Sequence, residues 1–530
     1  MQADVVIKNG TVVDGSGGPS RQADVAIAGG KIVAVGEVPA TDAARVIDAT
    51  DLKILPGFID IHTHSDVSLI LDPRCQSKIL QGVTTEVTGN CSFAPFPFAP
   101  DKMELHADHL HRIGDGVPPL TWNDVDGYVA TVETNPPAFN VAPLAGHGTL
   151  RVAAMGVDQR EATPDELATM KRLLAECLEQ GAFGMSTGLT HVPSAYGPEE
   201  EVTELVKVVA QYDALYATHQ RGAKGRVFGG MEESIRTATA AGARLQASHA
   251  AINNPDHWGK AVEMLALVDE ARDNGLDIAI DVYPYDASSS SLTQYLPQWV
   301  QDGGTEAMRA RLADPAALER AEQELAAGWF GGIPWFWDRV LMTRTGAGDE
   351  WCVGLTIEQA AAKAGMTPAA FTLKTCLDHG NYPGVVLFYR TEDDMMTFLA
   401  HHTAVVGSDG SALPLDQGAN KPHPRSFGTF PRIFGRYVRD KGLLTWEEAA
   451  VKTSSGVAER LQLADRGQIA EGLVADIVIM DPATVIDRST FTDPAQSPTG
   501  IPYVIVNGAI AVDEGEQTEA RSGRVLRRTR

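Results

Sequence analysis

Two histidines separated by one residue end the apolar run in "GFIDIHTHSD", residues 57–66. In a strand, side chains two apart point the same way, so His62 and His64 converge while Thr63 turns aside. Two imidazoles facing one point can hold a cation, but two donors do not complete a site. Other candidates stand at the ends of further short apolar runs: Cys91 in "EVTGNCSFAP", His219 in "ALYATHQRG", His249 in "RLQASHAAI" and Asp409 in "VVGSDGS". Each has a bland reading when taken singly. A histidine at a strand end is ordinarily structural, a lone cysteine is a small buried hydrophobe, and an aspartate after a strand is a turn residue or helix cap. Together they form a set of imidazoles, a thiolate and a carboxylate that suits zinc.

Such residues meet only in a fold that brings strand ends together. Between about 57 and 455, apolar runs such as "TTEVTGN", "AFGMSTG" and "LDIAIDVYP" alternate with helical patterns such as "PDELATMKRLLAECLEQG". This alternation predicts an α/β chain of parallel βαβ units closing into a (β/α)8 TIM-like barrel, whose active site lies at the C-terminal strand ends. Residues 1–56 and 456–530 read instead as short Val- and Ile-rich strands with Asn-Gly and Gly-Gly turns. "IKNGTVVDG" and "IVNGAIAVDEG" resemble one another, and both chain ends are expected to build one small β-sandwich domain. Residues 286–350, with "GWFGGIPWFW", break the alternation and are expected to form a lid-like subdomain over the barrel mouth.

The chain has 530 residues and a net charge of -25, which disfavours nucleic acid and anionic membrane as partners. Oligomeric state is not legible. Five unpatterned cysteines, no signal-like N-terminus and no apolar run of membrane-spanning length lead to a cytoplasmic expectation. No phosphate-binding G-x-x-x-x-G-K-[ST] occurs. "HADHLHR", with His106, His109 and His111, looks rich in metal donors, but its charged surroundings read as a solvated segment.

The stretches "GFIDIHTHSD", "GVTTEVTGNCSFAP", "YATHQRG", "ASHAAI", "DVYPYDASSSSL", "VVGSDGSALP" and "KPHPRSFGTFPRIFG" resemble the amidohydrolase superfamily, and within it the N-acyl-D-amino-acid deacylase (D-aminoacylase) branch. The likeness runs over nearly the whole chain. It implies that Cys91, His219 and His249 hold a tightly bound zinc, and that His62, His64 and Asp409 hold a weaker second metal. Cys91 stands where most binuclear relatives have a carboxylated lysine. Tyr283, Ser289 and Arg390 match positions that bind the substrate carboxylate. The implied substrate is a small amide bearing a carboxylate, an N-acyl-D-amino acid.

The chemistry agrees. Amide hydrolysis needs a nucleophile stronger than neutral water and a proton for the leaving nitrogen. Asp409 is the candidate general base and acid. Four residues depart from the branch pattern: Ala251 and Ala223 stand where lysine and glutamate are usual, Ser92 replaces glycine, and His191 stands in the pocket segment "GLTHVPSAYG". They put the substrate, more than the reaction, in question. A cyclic-amide or other non-peptide amide hydrolase on the same scaffold is the alternative reading.

Overall fold

The computed structural model describes residues 3–39, 43–114, 116–222, 228–330 and 332–529. Eight parallel strands make the barrel: β1 Phe58–Asp60, β2 Val83–Thr88, β3 Asn140–Pro143 (continued by Ala145–Gly146), β4 Gly184–Gly188, β5 Leu215–His219, β6 Arg244–Ala247, β7 Ile278–Val282 and β8 Ala404–Val406. Strands β1 to β3 pair in sequence order, and so do β4 to β8. Ala145–Gly146 joins the first group to β4. The circle closes where Thr63 bridges Gly410; there the Asp409 amide donates to the His62 carbonyl at 2.7 Å. Closure therefore places the first predicted motif and the last one against each other. Every residue of β2, β4 and β7 is buried, as expected of parallel strands covered on both faces. The intervening helices carry legible start signals. Helix Pro164–Glu179 opens on a Thr163/Glu166 capping box with proline at its first position.

The chain ends do pair. Lys53–Pro56 lies between Ala3–Val12 on one side and Ile477–Met480 on the other. The expected β-sandwich appears as one continuous hydrogen-bonded sheet of nine strands. Its C-terminal part begins later than residue 456, because helix Gly456–Arg460 packs Val457 and Ala458 against Ile59, Ile61 and Val87 of the barrel. The last residues return to the barrel, where Leu526 N donates to the Val141 carbonyl at 2.7 Å.

The inserted unit also differs from the expected 286–350. Its antiparallel sheet pairs Ser288–Ser291 and Val340–Arg344 on either side of a central strand, Gly384–Leu387. A separate apolar cluster, including Leu292, Tyr295, Trp329, Ile357, Leu373 and Leu387, fills it. The insertion thus runs to Leu387, and its middle strand is its last in the chain. The histidine-rich segment is a correction too. It forms helix Met103–Leu110, with His106 and His109 buried rather than solvated. His106 Nε2 accepts from the Ala99 amide at 3.0 Å, and His109 stacks on Phe93 at 4.6 Å. No helix among the described residues is long and apolar enough to cross a membrane.

Candidate metal centre and active site

Cys91 leaves β2 through a tight turn. Cys91 and Ser92 both adopt positive φ, 53° and 73°, a region that is costly for residues with a side chain. The turn aims Sγ into the barrel mouth. There it lies 3.3 Å from His62 Nε2, 3.6 Å from His249 Nε2 and 3.7 Å from His219 Nδ1. His249 and Asp409 also have positive φ, 36° and 53°. Three of the side chains that meet here are therefore held by a backbone that only the surrounding fold stabilises.

Neighbours fix which ring nitrogen faces inward. His219 Nε2 is bonded to Thr190 Oγ1 at 2.7 Å, leaving Nδ1 toward Cys91. His62 Nδ1 lies 3.2 Å from Asp281 Oδ1, leaving Nε2 toward the cluster. Asp281 also accepts from the His249 amide at 2.7 Å and from Gln246 Nε2 at 3.1 Å. One buried carboxylate thus ties two of the histidines together.

The donor set fits zinc. Tetrahedral bonds of about 2.0–2.1 Å to nitrogen and about 2.3 Å to sulfur place nitrogen and sulfur donors about 3.6 Å apart, and two nitrogens about 3.4 Å apart. The two Sγ to nitrogen separations match. The 2.9 Å between His219 Nδ1 and His249 Nε2 is tighter. His62, His64, Cys91 and Asp409 form a second, overlapping group whose donor atoms all lie within 4.8 Å of one another.

Asp409 faces both groups. Its Oδ1 is 3.0 Å from His64 Nε2 and 3.5 Å from His62 Nε2, while Oδ2 is 2.7 Å from Arg425 Nη1. Burial pushes its carboxyl up, but Arg425, His64 and His62 outweigh burial and hold it well below the usual carboxylate range. The Cys91 thiol behaves alike: burial raises it, and the charge of His62 with hydrogen bonds from His219 and His249 brings it far down. A thiolate and an ionised carboxylate are the forms that bind metal.

The predicted carboxylate-binding residues line the same cavity, whose volume is about 580 Å³. Tyr283 is buried, with Arg390 and Arg425 over its ring at 4.6 and 4.9 Å. Its hydroxyl has no partner among the described residues. Ser289 is on the first strand of the inserted sheet and lines the cavity, as do His191 and Ala251. His191 packs against His219 at 4.7 Å, and burial together with that histidine pushes its imidazole well below the ordinary range. Ala223 lies outside the described residues. Two residues escaped the sequence reading: Asp281, which sat inside an apolar run, and Arg425, which sat in the quoted "KPHPRSF" without a role. An acidic residue in an otherwise apolar strand was the available signal for the first.

Clustered metal donors beside a carboxylate at a barrel mouth are what a metal-dependent hydrolase requires. The chain belongs to the amidohydrolase family, whose model matches residues 45–512. It is 36% identical to an N-acyl-D-glutamate deacylase from Alcaligenes xylosoxydans xylosoxydans, over 99% of this chain and 96% of that protein. It is 33% identical to a D-aminoacylase of the same organism, over 99% and 98%. The crystal structure of N-acyl-D-glutamate deacylase from Bordetella bronchiseptica, complexed with zinc and a phosphonate inhibitor, superposes with a TM-score of 0.82 at 31% identity, over 99% of this chain and 100% of that one.

Proposed function

We propose that this protein is a zinc-dependent hydrolase that cleaves the amide bond of N-acyl-D-amino acids to a carboxylate and a free D-amino acid. The observation that carries the reading is the meeting of Cys91, His219 and His249 beside Asp409, in a cavity whose wall holds Tyr283 and Arg390. The D-series rests on the relatives, two of which are named for D-amino-acid substrates.

In this reading Cys91, His219 and His249 hold the tightly bound zinc, and His62, His64 and Asp409 hold a weaker second metal. Zinc held there would polarise the acyl carbonyl and bring the pKa of a water molecule to about 7. The protein's own groups do the rest. Arg390 and the Tyr283 hydroxyl bind the substrate carboxylate with Ser289, and so orient the scissile bond. Asp409 takes the proton of the attacking water on Oδ1, the oxygen turned toward His64. It then passes that proton to the departing nitrogen. Arg425 keeps the carboxylate aimed throughout. Among the described residues the five cysteines are free and buried, which fits a reducing cytoplasm.

The test is amine release from paired N-acetyl-D- and N-acetyl-L-amino acids by zinc-loaded protein and by Asp409→Asn. Release from the D-series, abolished in the variant, is the expected result. Zinc-loaded protein that releases amine from neither series refutes the reading.

A further inference from the structure

A second cluster of metal donors lies away from the barrel mouth, at the opposite end of β8. His401 and His402 stand just before that strand, and Asp269 comes from helix Ala261–Asp273, which precedes β7. One donor atom from each of the three lies within 4.8 Å of the others. Asp409 follows His402 along the same strand path, and at about 3.3 Å per residue the two clusters are roughly 20 Å apart.

The two rings converge where the backbone would ordinarily separate them. His401 leaves helix Glu392–Ala400 with extended backbone angles, φ -63° and ψ 142°. Side chains of consecutive residues ordinarily point apart. Here the ring centroids are 4.4 Å from each other, tilted by 46°. Each imidazole faces its own oxygen of one carboxylate: His401 Nε2 is 3.3 Å from Asp269 Oδ2, and His402 Nε2 is 3.9 Å from Oδ1. At 3.9 Å the second pair is too far apart to hydrogen-bond. Histidines that do bond to carboxylates in this chain sit closer, His147 at 2.9 Å from Glu201 and His379 at 2.8 Å from Asp349. The wider spacing is that of donors around a shared cation. Zinc bonds of about 2.0–2.1 Å at tetrahedral angles place nitrogen and oxygen donors about 3.4 Å apart.

The cluster is both anchored and reachable. His401 Nδ1 is bonded to Thr403 Oγ1 at 2.9 Å, which leaves Nε2 turned to Asp269. The His401 carbonyl accepts from the Lys452 ammonium at 2.6 Å, and the same ammonium donates to the Ala404 carbonyl at 3.1 Å. The His401 side chain is mostly buried, whereas those of Asp269 and His402 are 47% and 65% exposed. An ion can therefore enter from solvent and keep water in its remaining positions.

We propose that Asp269, His401 and His402 form a peripheral site for a divalent transition metal of the zinc class, which ties helix Ala261–Asp273 to the start of β8. Two imidazoles and a carboxylate suit zinc, nickel and copper, whereas magnesium and calcium prefer all-oxygen sites. Val268 of that helix and Leu399 beside the histidines already share one apolar cluster, so the metal reinforces an existing contact. Its role is stability, at a distance from the reacting atoms, and it does not depend on the deacylase reading.

The test uses full-length protein with zinc already in the Cys91 site. Diethyl pyrocarbonate acylates neutral, exposed imidazoles, and peptide mass spectrometry maps the labelled histidines. Added zinc at about ten times its Kd is expected to slow labelling of His402 about 10-fold, the fall in the free fraction, and magnesium is expected to leave it unchanged. By calorimetry, wild type should take up one more equivalent of zinc than Asp269→Asn or His402→Gln. At about 100 times Kd its Tm should rise about 2 °C more than theirs. Both variants should keep wild-type turnover, since neither residue is near the cavity. Cys91→Ala should keep the extra equivalent while losing the tight zinc, so a failure of the catalytic reading and a failure of this one are separate results. Labelling of His402 that zinc does not slow overturns the proposal, in wild-type protein and without any variant. So does zinc uptake that is equal in wild type and both variants. Protection by magnesium as strong as that by zinc also overturns it, and would leave an ordinary carboxylate beside two histidines.

Discussion

Replacing Lys78 with methionine tests whether a charge buried behind the metal centre holds the catalytic loop. Lys78 is fully buried, with Nζ 2.8 Å from Asp60 Oδ2, 3.2 Å from Glu86 Oε1 and 2.6 Å from Ser408 Oγ. Asp60 also accepts from the Ser408 amide at 2.7 Å, and Ser408 Oγ accepts from the Gly410 amide at 3.1 Å. The residue between those two amides is Asp409. Methionine keeps the volume and removes the charge, leaving two buried carboxylates unpaired. Breaking a buried pair in this way costs about 3–5 kcal/mol. At about 2.1 cal/mol/K of unfolding entropy per residue, a chain of 530 residues loses about 3–5 °C of Tm. The pH dependence gives a second readout. Burial pushes the Glu86 carboxyl up, to about 7, against the pull of Lys78 and with the push of Asp60. The folded state then keeps a proton that the unfolded state releases above about 4.5, so stability falls as the pH rises from there through 7. Without the ammonium Glu86 rises further, and the decline extends to more alkaline pH. Differential scanning fluorimetry from pH 5 to 9 measures both effects, and Lys78→Met/Glu86→Gln should recover part of the loss. Turnover should fall about 10- to 100-fold with zinc content unchanged, as the Asp409 loop loosens. A variant that melts within a degree of wild type, with the same pH slope, would refute the reasoning.

Four further outcomes are expected. Cys91→Ala should lower zinc content, measured by plasma mass spectrometry, together with activity, and chelation of the wild type should do the same reversibly. Tyr283→Phe removes a buried hydroxyl that has no partner in the protein, so Tm should hold while KM rises about 10-fold, the size of one lost hydrogen bond to a charged group. Arg390→Gln should also act on KM, and more strongly, with little change in Tm. Glu201→Gln should destabilise by about 3 kcal/mol, because Glu201 bonds to both Arg151 and His147 in the core. Burial raises the Glu201 carboxyl, but His147 and Arg151 bring it down to about 2 from an ordinary 4.5. Its stabilisation is therefore complete above about pH 4.5 and lost as the pH falls through 2, so the variant's curve of Tm against pH should be flatter on the acid side.

The strand-end residues were legible because two local signals coincide at them: a short apolar run and a polar residue that ends it. His62, Cys91, His219, His249 and Asp409 all carry both signals, and in the fold all meet. Asp281 carries only half of the pattern, since it sits within "LDIAIDVYP" and reads as part of the run. Arg425 follows no strand at all. Its pairing with Asp409 depends on where residues 410–424 lead the chain, and no local rule encodes that path. The inserted sheet failed at its boundary for the same kind of reason. Gly384–Leu387 completes it from about 40 residues beyond Val340–Arg344, and two helices intervene. His106 and His109 misled in the opposite sense, because both imidazoles turn inward from a helix whose Glu104 is exposed.

The sheet built from both chain ends bears on synthesis. Lys53–Pro56 pairs in full only when Ile477–Met480 arrives, and Pro56 and Ile477 are 421 positions apart. At about 5–20 residues per second, ribosomal translation separates them by roughly 20–80 s. For that interval Lys53–Pro56 is an open edge of the N-terminal strands, the kind of surface that pairs with other nascent chains. The two ends of this protein thus make its native sheet the last part of the chain to be finished, and the part most in need of protection while it waits.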